Sequence, residues 1–292
     1  MSKGILIFSH NNNQIDYTKI AICSSLMAKK QLNVPVCLVT DSGSWKYAKE
    51  SIDNALLDKC FDDVKIYDNI YDKIITRTFV DGHGYKGSLP WYNNSRIKAY
   101  ELSPFDQTLL IDSDFLMLDN SLSNCWDNSE DFLVNSSAIR LNREKLPNSE
   151  IYISDSGPKM YWATVMYFKK SKFCQILFDL VNHIYDNYSN YQFLYKLPSK
   201  LFRGDFALSI ALHMLNNFDY DHDIKPLPDP LLTAWIYDEL YDISKDGELI
   251  FLLGNENEWG PFKVQNINTN IHILNKFSII RNYEKIVRIY ND

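Results

Sequence analysis

The chain has 292 residues, with 30 Lys and Arg against 37 Asp and Glu, a formal net charge of −7. That balance argues against general affinity for a nucleic-acid backbone, which needs a basic excess, and suits a divalent-cation site. Hydrophobic residues at 46% and charged residues at 23% describe a globular chain with a sizeable core and no membrane-length apolar window.

"GILIFS" (4–9) is a short apolar run of the kind that forms a buried parallel strand, and "HNNNQ" (10–14) breaks it. Asp16 is positioned as an N-cap for a helix that ends in a basic turn before Pro35. "PVCLVT" (35–40) gives a second strand, residues 44 to 58 a helical stretch, and "DVKIYD" (63–68) a third strand. Strand, helix, strand, helix, strand is the pattern of a mainly parallel sheet with crossover helices, so an α/β fold is expected.

Residues 70 to 92 lack periodicity and read as a long loop. Gly82, Gly84 and Gly87 in it match G-x-G-x-x-G, but a dinucleotide fingerprint must follow a strand and open a helix, so a lid-like loop is expected instead. "NNSRIKAYEL" (93–102) predicts a short helix carrying Arg96 and Lys98. Residues 109 to 118 then read as one buried strand interrupted by Asp112 and Asp114.

In a strand, alternation puts Asp112 and Asp114 on one face. Two carboxylates side by side repel unless a cation lies between them, and Mg²⁺ or Mn²⁺ suits oxygen ligands. The alternative is that the strand ends at Ile111 and the aspartates decorate an exposed turn.

Beyond a polar stretch (119–160), residues 160 to 170 resume a strand pattern. Helices are predicted from Ser171 and from near Asp205, where the carboxylate reads as a cap. A turn at 254–261 and a strand at 270–274 follow. No linker divides the chain, so one domain is expected over 1–292, with a nucleotide-binding half at about 1–118 and an acceptor-side half at about 119–292.

Five cysteines, Cys23, Cys37, Cys60, Cys125 and Cys174, have no C-x-x-C pairing. Free buried thiols in a reducing, cytoplasmic compartment are expected. Among the six histidines, which include His222, His183 and His213 fall within amphipathic helices. His272 stands in a strand-like run, where a neutral imidazole is suited to be a third metal ligand.

Taken in order, "NSRIKAYELSPFDQTLLIDSDFLMLDNSLSNCWD" (94–127), "GDFALSIAL" (204–212) and "HILNK" (272–276) resemble nucleotide-sugar-dependent glycosyltransferases of the GT-A fold. The similarity is to the group containing glycogenin and bacterial lipopolysaccharide galactosyltransferases. It implies Asp112, Asp114 and His272 as ligands of Mn²⁺ or Mg²⁺, and His10, Asn11, Asp41, Arg96 and Lys276 as contacts to the nucleotide diphosphate. It also implies Asp205 as the catalytic residue beside the donor sugar.

The reaction so implied moves a sugar from a UDP-sugar or related donor to an unidentified acceptor (a glycan, a protein, a small molecule or a modified DNA base), with retention. The chain departs from the pattern in Phe206, where the family has Gln, and in lacking the Gly before Lys276. The style of the sequence also resembles glycosyltransferase-like proteins of large tailed bacteriophages, so a DNA-base-modifying transferase is an alternative. A D-x-D phosphatase and a non-catalytic nucleotide- or sugar-binding protein are further ones.

Overall fold

The computed structural model describes residues 1–12, 14–68, 75–142, 150–155, 157–220, 223–256 and 258–291. His222 and the first part of the 70–92 segment lie outside them. The chain begins with β1 (Lys3–Phe8), α1 (Tyr17–Leu32), β2 (Val36–Thr40), α2 (Ser42–Ser51), α3 (Asn54–Cys60) and β3 (Asp63–Ile66). Each helix start is fixed by a carboxylate: Asp16, Asp41 and Asp53 accept from backbone N–H groups of Lys19, Ser44 and Ala55. The helical stretch expected over 44–58 is two helices, parted by Ile52 in extended conformation and by the Asp53 cap.

A hairpin follows, β4 (Ile75–Asp81) and β5 (Tyr85–Trp91). This corrects the long-loop reading: the strands pair antiparallel from Thr76↔Pro90 to Asp81↔Tyr85. Gly82 adopts φ +53 in the turn, a left-handed conformation that glycine takes without steric cost. Among the described residues the glycine triplet belongs to a hairpin, not to a strand-to-helix phosphate loop.

Next come a 3₁₀ turn (Asn93–Lys98), α4 (Ala99–Leu102), β6 (Gln107–Asp112), β7 (Phe115–Leu116), a second 3₁₀ turn (Ser121–Cys125), β8 (Phe132–Val134), β9 (Ala138–Arg140) and β10 (Val165–Lys169). Helices α5 (Lys172–Asp186), α6 (Tyr188–Leu194) and α7 (Gly204–Leu215) precede β11 (Leu231–Ala234), β12 (Glu239–Ile243), β13 (Leu249–Asn255), β14 (Glu258–Ile267) and β15 (Ile271–Ile273). The described chain ends in α8 (Lys276–Arg281) and α9 (Tyr283–Tyr290). The turn expected over 254–261 is narrower than that, since Glu258 onward is strand.

The central sheet has the order β3-β2-β1-β6-β10-β8. Its first three pairings are parallel, and β10 is antiparallel to both β6 and β8, which makes a mixed, mainly parallel α/β sheet. Alternation along the strands feeds two cores. Ile5, Ile7, Leu38, Leu109 and Ile111 pack with α1 and α9, whereas Leu6, Phe8, Val39, Leu110 and Phe168 pack with α5 and α7. All five cysteines are free and buried within these layers, and burial pushes the Cys37, Cys60 and Cys125 thiols up to about 12. No described helix is long and apolar enough to cross a membrane.

A smaller sheet, β7-β15-β11-β9, sits where β6 ends. The single strand expected over 109–118 is therefore two strands in two sheets. Ser113 and Asp114 form a turn between β6 and β7, with Asp114 only 4% exposed. The alternative reading was right that the strand stops early, and wrong that the turn is exposed.

Candidate functional site

At the carboxyl ends of β1 and β6 a cleft of about 750 Å³ opens, lined among others by His10, Tyr17, Arg96, Asp112, Asp114, Asp205, His272 and Lys276. Crevices of this kind beyond strand ends are where open α/β sheets bind ligands. Strand pairing brings two distant segments together there. Ile273 N–H donates to Asp114 O at 2.9 Å, and His272 pairs with Phe115. His272 and Asp114 thus become neighbours despite a separation of more than 150 residues.

Among the described residues, ligand atoms of Asp112, Asp114 and His272 all lie within 4.8 Å of one another. Asp114 is compensated twice, by Lys276 Nζ at 2.5 Å and by His272 Nε2 at 3.4 Å. Burial acts to raise its carboxyl, but Lys276 and His272 outweigh it and hold it well below the usual carboxylate range. Among the described residues, Asp112 has one ion-pair partner, Arg96 at 3.3 Å, with His272 and Lys276 acting on it from farther away. Burial pushes it above the usual range, helped by the like charge on Asp114 and opposed by Arg96.

This uneven compensation leaves Asp112 in want of a cation. Among the described residues, the buried His272 Nδ1 has no hydrogen-bond partner, a polar atom open to further bonding. Two carboxylates and an imidazole form a donor set that Mn²⁺ accepts well and Mg²⁺ tolerates.

Arg96 is fixed by more than Asp112. Its guanidinium donates to the carbonyl of Ala163, and Nη2 donates to Thr164 O at 3.1 Å. Thr164 O also accepts from Asp112 N at 2.9 Å. The same segment continues to the opposite wall, where Ala163 N–H donates to Asp205 Oδ1 at 2.9 Å and Tyr161 N–H to Ser209 Oγ at 2.8 Å. Residues 161–164 therefore tie the Asp112 side of the cleft to α7.

Asp205 does not cap its helix. The cap position of α7 is Arg203, which makes no side-chain capping bond; instead Arg203 Nη2 donates to Asp205 Oδ2 at 3.0 Å. Burial tends to raise the Asp205 carboxyl, yet Arg203 and the Ala163 N–H keep it below the ordinary range, so it is ionised at neutral pH. Phe206 is 1% exposed and lies within the α5–α7 core, so the residue standing in place of the resemblance's Gln turns away from the cleft.

His10 lines the cleft; Asn11 and Asp41 lie behind it. His10 Nε2 meets Ser95 Oγ at 2.8 Å and Nδ1 approaches Asp41 Oδ2 at 3.4 Å. Asp41 accepts from Ser44 N at 2.9 Å and is 1% exposed. Burial opposes its ionisation, and bonds from His10 and Ser44 hold it well below the usual range all the same. Asn11 Oδ1 accepts from Thr18 N at 3.0 Å, so its side chain binds the start of α1.

Sequence reasoning missed Tyr17, Arg77, Trp91, Trp162, Arg203 and Trp235, all lining the cleft. Arg77 and Trp91 went unnoticed because the hairpin was read as a loop; the alternation in "TRTFV" (76–80) was the available signal.

No protein-family model matches the sequence, and no curated protein matches it. Among solved structures, the chain is similar to the galactosyltransferase LgtC in complex with donor and acceptor sugar analogs, at 15% identity and TM-score 0.43, over 72% of this chain and 70% of that one. It is also similar to the glycosyltransferase GlyE of Streptococcus pneumoniae (11%, TM-score 0.43, 78% of this chain and 45% of that one) and to mouse xyloside xylosyltransferase 1 (14%, TM-score 0.41, 74% and 83%). The chemistry of the cleft rests on its own side chains.

Proposed function

We propose that the protein is a glycosyltransferase of the GT-A type. It transfers a sugar from a nucleotide-diphosphate sugar, with uridine as the favoured nucleoside, to an acceptor, retaining the configuration at the anomeric carbon. The observation that carries this reading is the Asp112–Asp114–His272 cluster, with ligand atoms within 4.8 Å, at the strand ends of a large cleft whose other wall holds an ionised Asp205.

Asp112, Asp114 and His272 are the residues that would hold a divalent cation, Mn²⁺ or Mg²⁺. When bound, such a cation neutralises the charge that builds on a departing diphosphate. Lys276 and Arg96 are suited to charge-assisted bonds with phosphate oxygens, exchanging carboxylate partners for phosphate ones.

In the transfer, the bond from the anomeric carbon to the diphosphate oxygen breaks, with its electron pair leaving on the diphosphate. The acceptor hydroxyl oxygen bonds to that carbon from the side the diphosphate leaves, and its proton passes to the departing diphosphate oxygen. Asp205, anionic and fixed by Arg203 and the Ala163 N–H, is suited to stabilise the positive charge that develops on the sugar ring. His10, held by Ser95 and Asp41, gives the nucleoside side of the cleft a rigid polar edge.

A hydrolysis screen over nucleotide sugars with MnCl₂ tests the reading. Slow, metal-dependent release of nucleotide diphosphate from at least one sugar donor is the expected result. Metal-independent release, or none from any donor together with no nucleotide binding, would overturn it.

A further inference from the structure

Three of the four Lys and Arg side chains lining the cleft face a carboxylate: Arg96 faces Asp112 at 3.3 Å, Lys276 faces Asp114 at 2.5 Å and Arg203 faces Asp205 at 3.0 Å. The fourth, Arg77, has none within ion-pairing distance among the described residues. It stands on β4, with its guanidinium laid over the Trp91 ring at 3.5 Å. Trp91 is two residues along β5 from Leu89, the cross-strand partner of Arg77, so the contact is a diagonal pair on one face of the hairpin.

Arg77 Nη2 donates to Phe202 O at 2.9 Å, which ties the guanidinium to the segment entering α7, next to Arg203 and Asp205. A guanidinium carries five N–H donors, and this bond occupies one of them. Burial lowers the Arg77 pKa to about 10, and the like charge of Arg203 adds to the effect, while Asp205 and Asp112, outside ion-pairing distance, oppose it. A half-buried cation, stacked and pre-oriented beside a second cation, is costly to hold without a counter-ion, and it matches the planar, two-point geometry of a carboxylate or phosphate.

We infer that Arg77 is a specificity-determining residue, anchoring a carboxylate or phosphate carried by the sugar on the Asp205 side of the cleft. The substrate so defined is an acidic or phosphorylated sugar. Whether it arrives as the acceptor or on the donor, the chemistry of recognition is the same. The inference rests on the transferase reading, which assigns the diphosphate to the metal cluster, Lys276 and Arg96 and leaves Arg77 for a separate anion.

The test is calorimetry on the full chain with MnCl₂. UDP binding is measured first. D-glucuronate, D-glucose 6-phosphate and D-glucose are then titrated into the UDP-loaded protein, and UDP-glucuronate is compared with UDP-glucose on the unloaded protein. An acidic sugar is expected to bind more tightly than its neutral counterpart by a factor on the order of ten to a hundred. A preference among the free sugars assigns the anion to the acceptor; a preference among the UDP-sugars assigns it to the donor.

Arg77→Gln is expected to erase the preference while UDP still binds, and that binding reports an intact fold. Arg77→Lys, which keeps the charge without the planar fork, is expected to retain only part of the preference, and it replaces Arg77→Gln should that variant fail to fold. UDP binding with no acidic preference in either arm, or a preference unchanged in the variants, overturns the inference and leaves the transferase reading standing. Loss of UDP binding in the wild type removes both.

Discussion

Lys276 holds its ammonium 2.5 Å from Asp114 Oδ2, and His272 Nε2 approaches the same oxygen at 3.4 Å. One carboxylate thus serves two partners of the cleft, while among the described residues Arg96 is the ion-pair partner of Asp112. Removing Asp114 strands an ammonium that is only 15% exposed along its side chain. Asp114→Asn is expected to lower stability by roughly 3–5 kcal/mol. Asp114→Asn with Lys276→Met should recover at least half of that loss. Urea denaturation of the single and double variants measures it, and an additive double variant would contradict the coupling.

Arg96 acts as a fork that joins three backbone and side-chain acceptors. It bonds the carbonyls of Ala163 and Thr164 while facing Asp112. Lysine keeps the charge but not this geometry. Arg96→Lys is expected to weaken metal-dependent nucleotide affinity by about tenfold and to cost about 1–3 kcal/mol in stability, since an ammonium cannot keep both carbonyl bonds and the Asp112 contact. Paired calorimetry and denaturation on the purified variant check both numbers.

Asp205→Asn should separate chemistry from binding. Asparagine Oδ1 still accepts from Ala163 N–H, so the nucleotide side is expected to be unaffected, while loss of the Arg203 ion pair lowers stability. The loss is the negative charge facing the sugar. A fall in kcat on the order of 10²–10³, with nucleotide affinity within about twofold of wild type, is expected from transfer kinetics on whichever donor is consumed. A kcat close to wild type would remove Asp205 from the chemistry.

The Asp41 carboxyl is depressed in the folded protein: burial opposes this, and the bonds from His10 and Ser44 prevail. Its contribution to stability is therefore fully present above the unfolded carboxylate pKa of about 3.9 and is lost as pH falls from there through the folded value. Wild-type stability should decline over the window below about pH 4, and Asp41→Asn should be less stable at neutral pH with a flatter acid limb. Thermal melts at pH 7, 5 and 3.5 distinguish the two profiles.

The sheet was legible because its strands are apolar runs bounded by caps. β1, β2 and β3 announce themselves through "GILIF", "VCLVT" and "DVKI", and Asp16 marks the helix after β1, whereas the Asp41 cap of the helix after β2 emerges only in the structure. The cluster was legible in part: Asp112, Asp114 and His272 do converge. They converge through a turn and a second sheet rather than through alternation on one strand, because β7 is only two residues long and too short to show a period.

The β4–β5 hairpin was hidden by its glycines and by Pro90, which is tolerated in a strand with no second neighbour among the described residues. The work of residues 161–164 could not be read at all. Their backbone carbonyls and amides organise the site through Arg96 and Asp205, and backbone groups leave no residue-type signature.

The most direct test of the central claim is calorimetric titration of UDP into the wild-type protein with MnCl₂ and with EDTA, repeated for Asp112→Asn and Asp114→Asn. The cluster geometry predicts saturable binding in MnCl₂, loss of binding in EDTA, and at least a tenfold weakening, about 1.4 kcal/mol, in each variant. UDP binding of equal strength in EDTA, or variants that bind as tightly as the wild type, would contradict it.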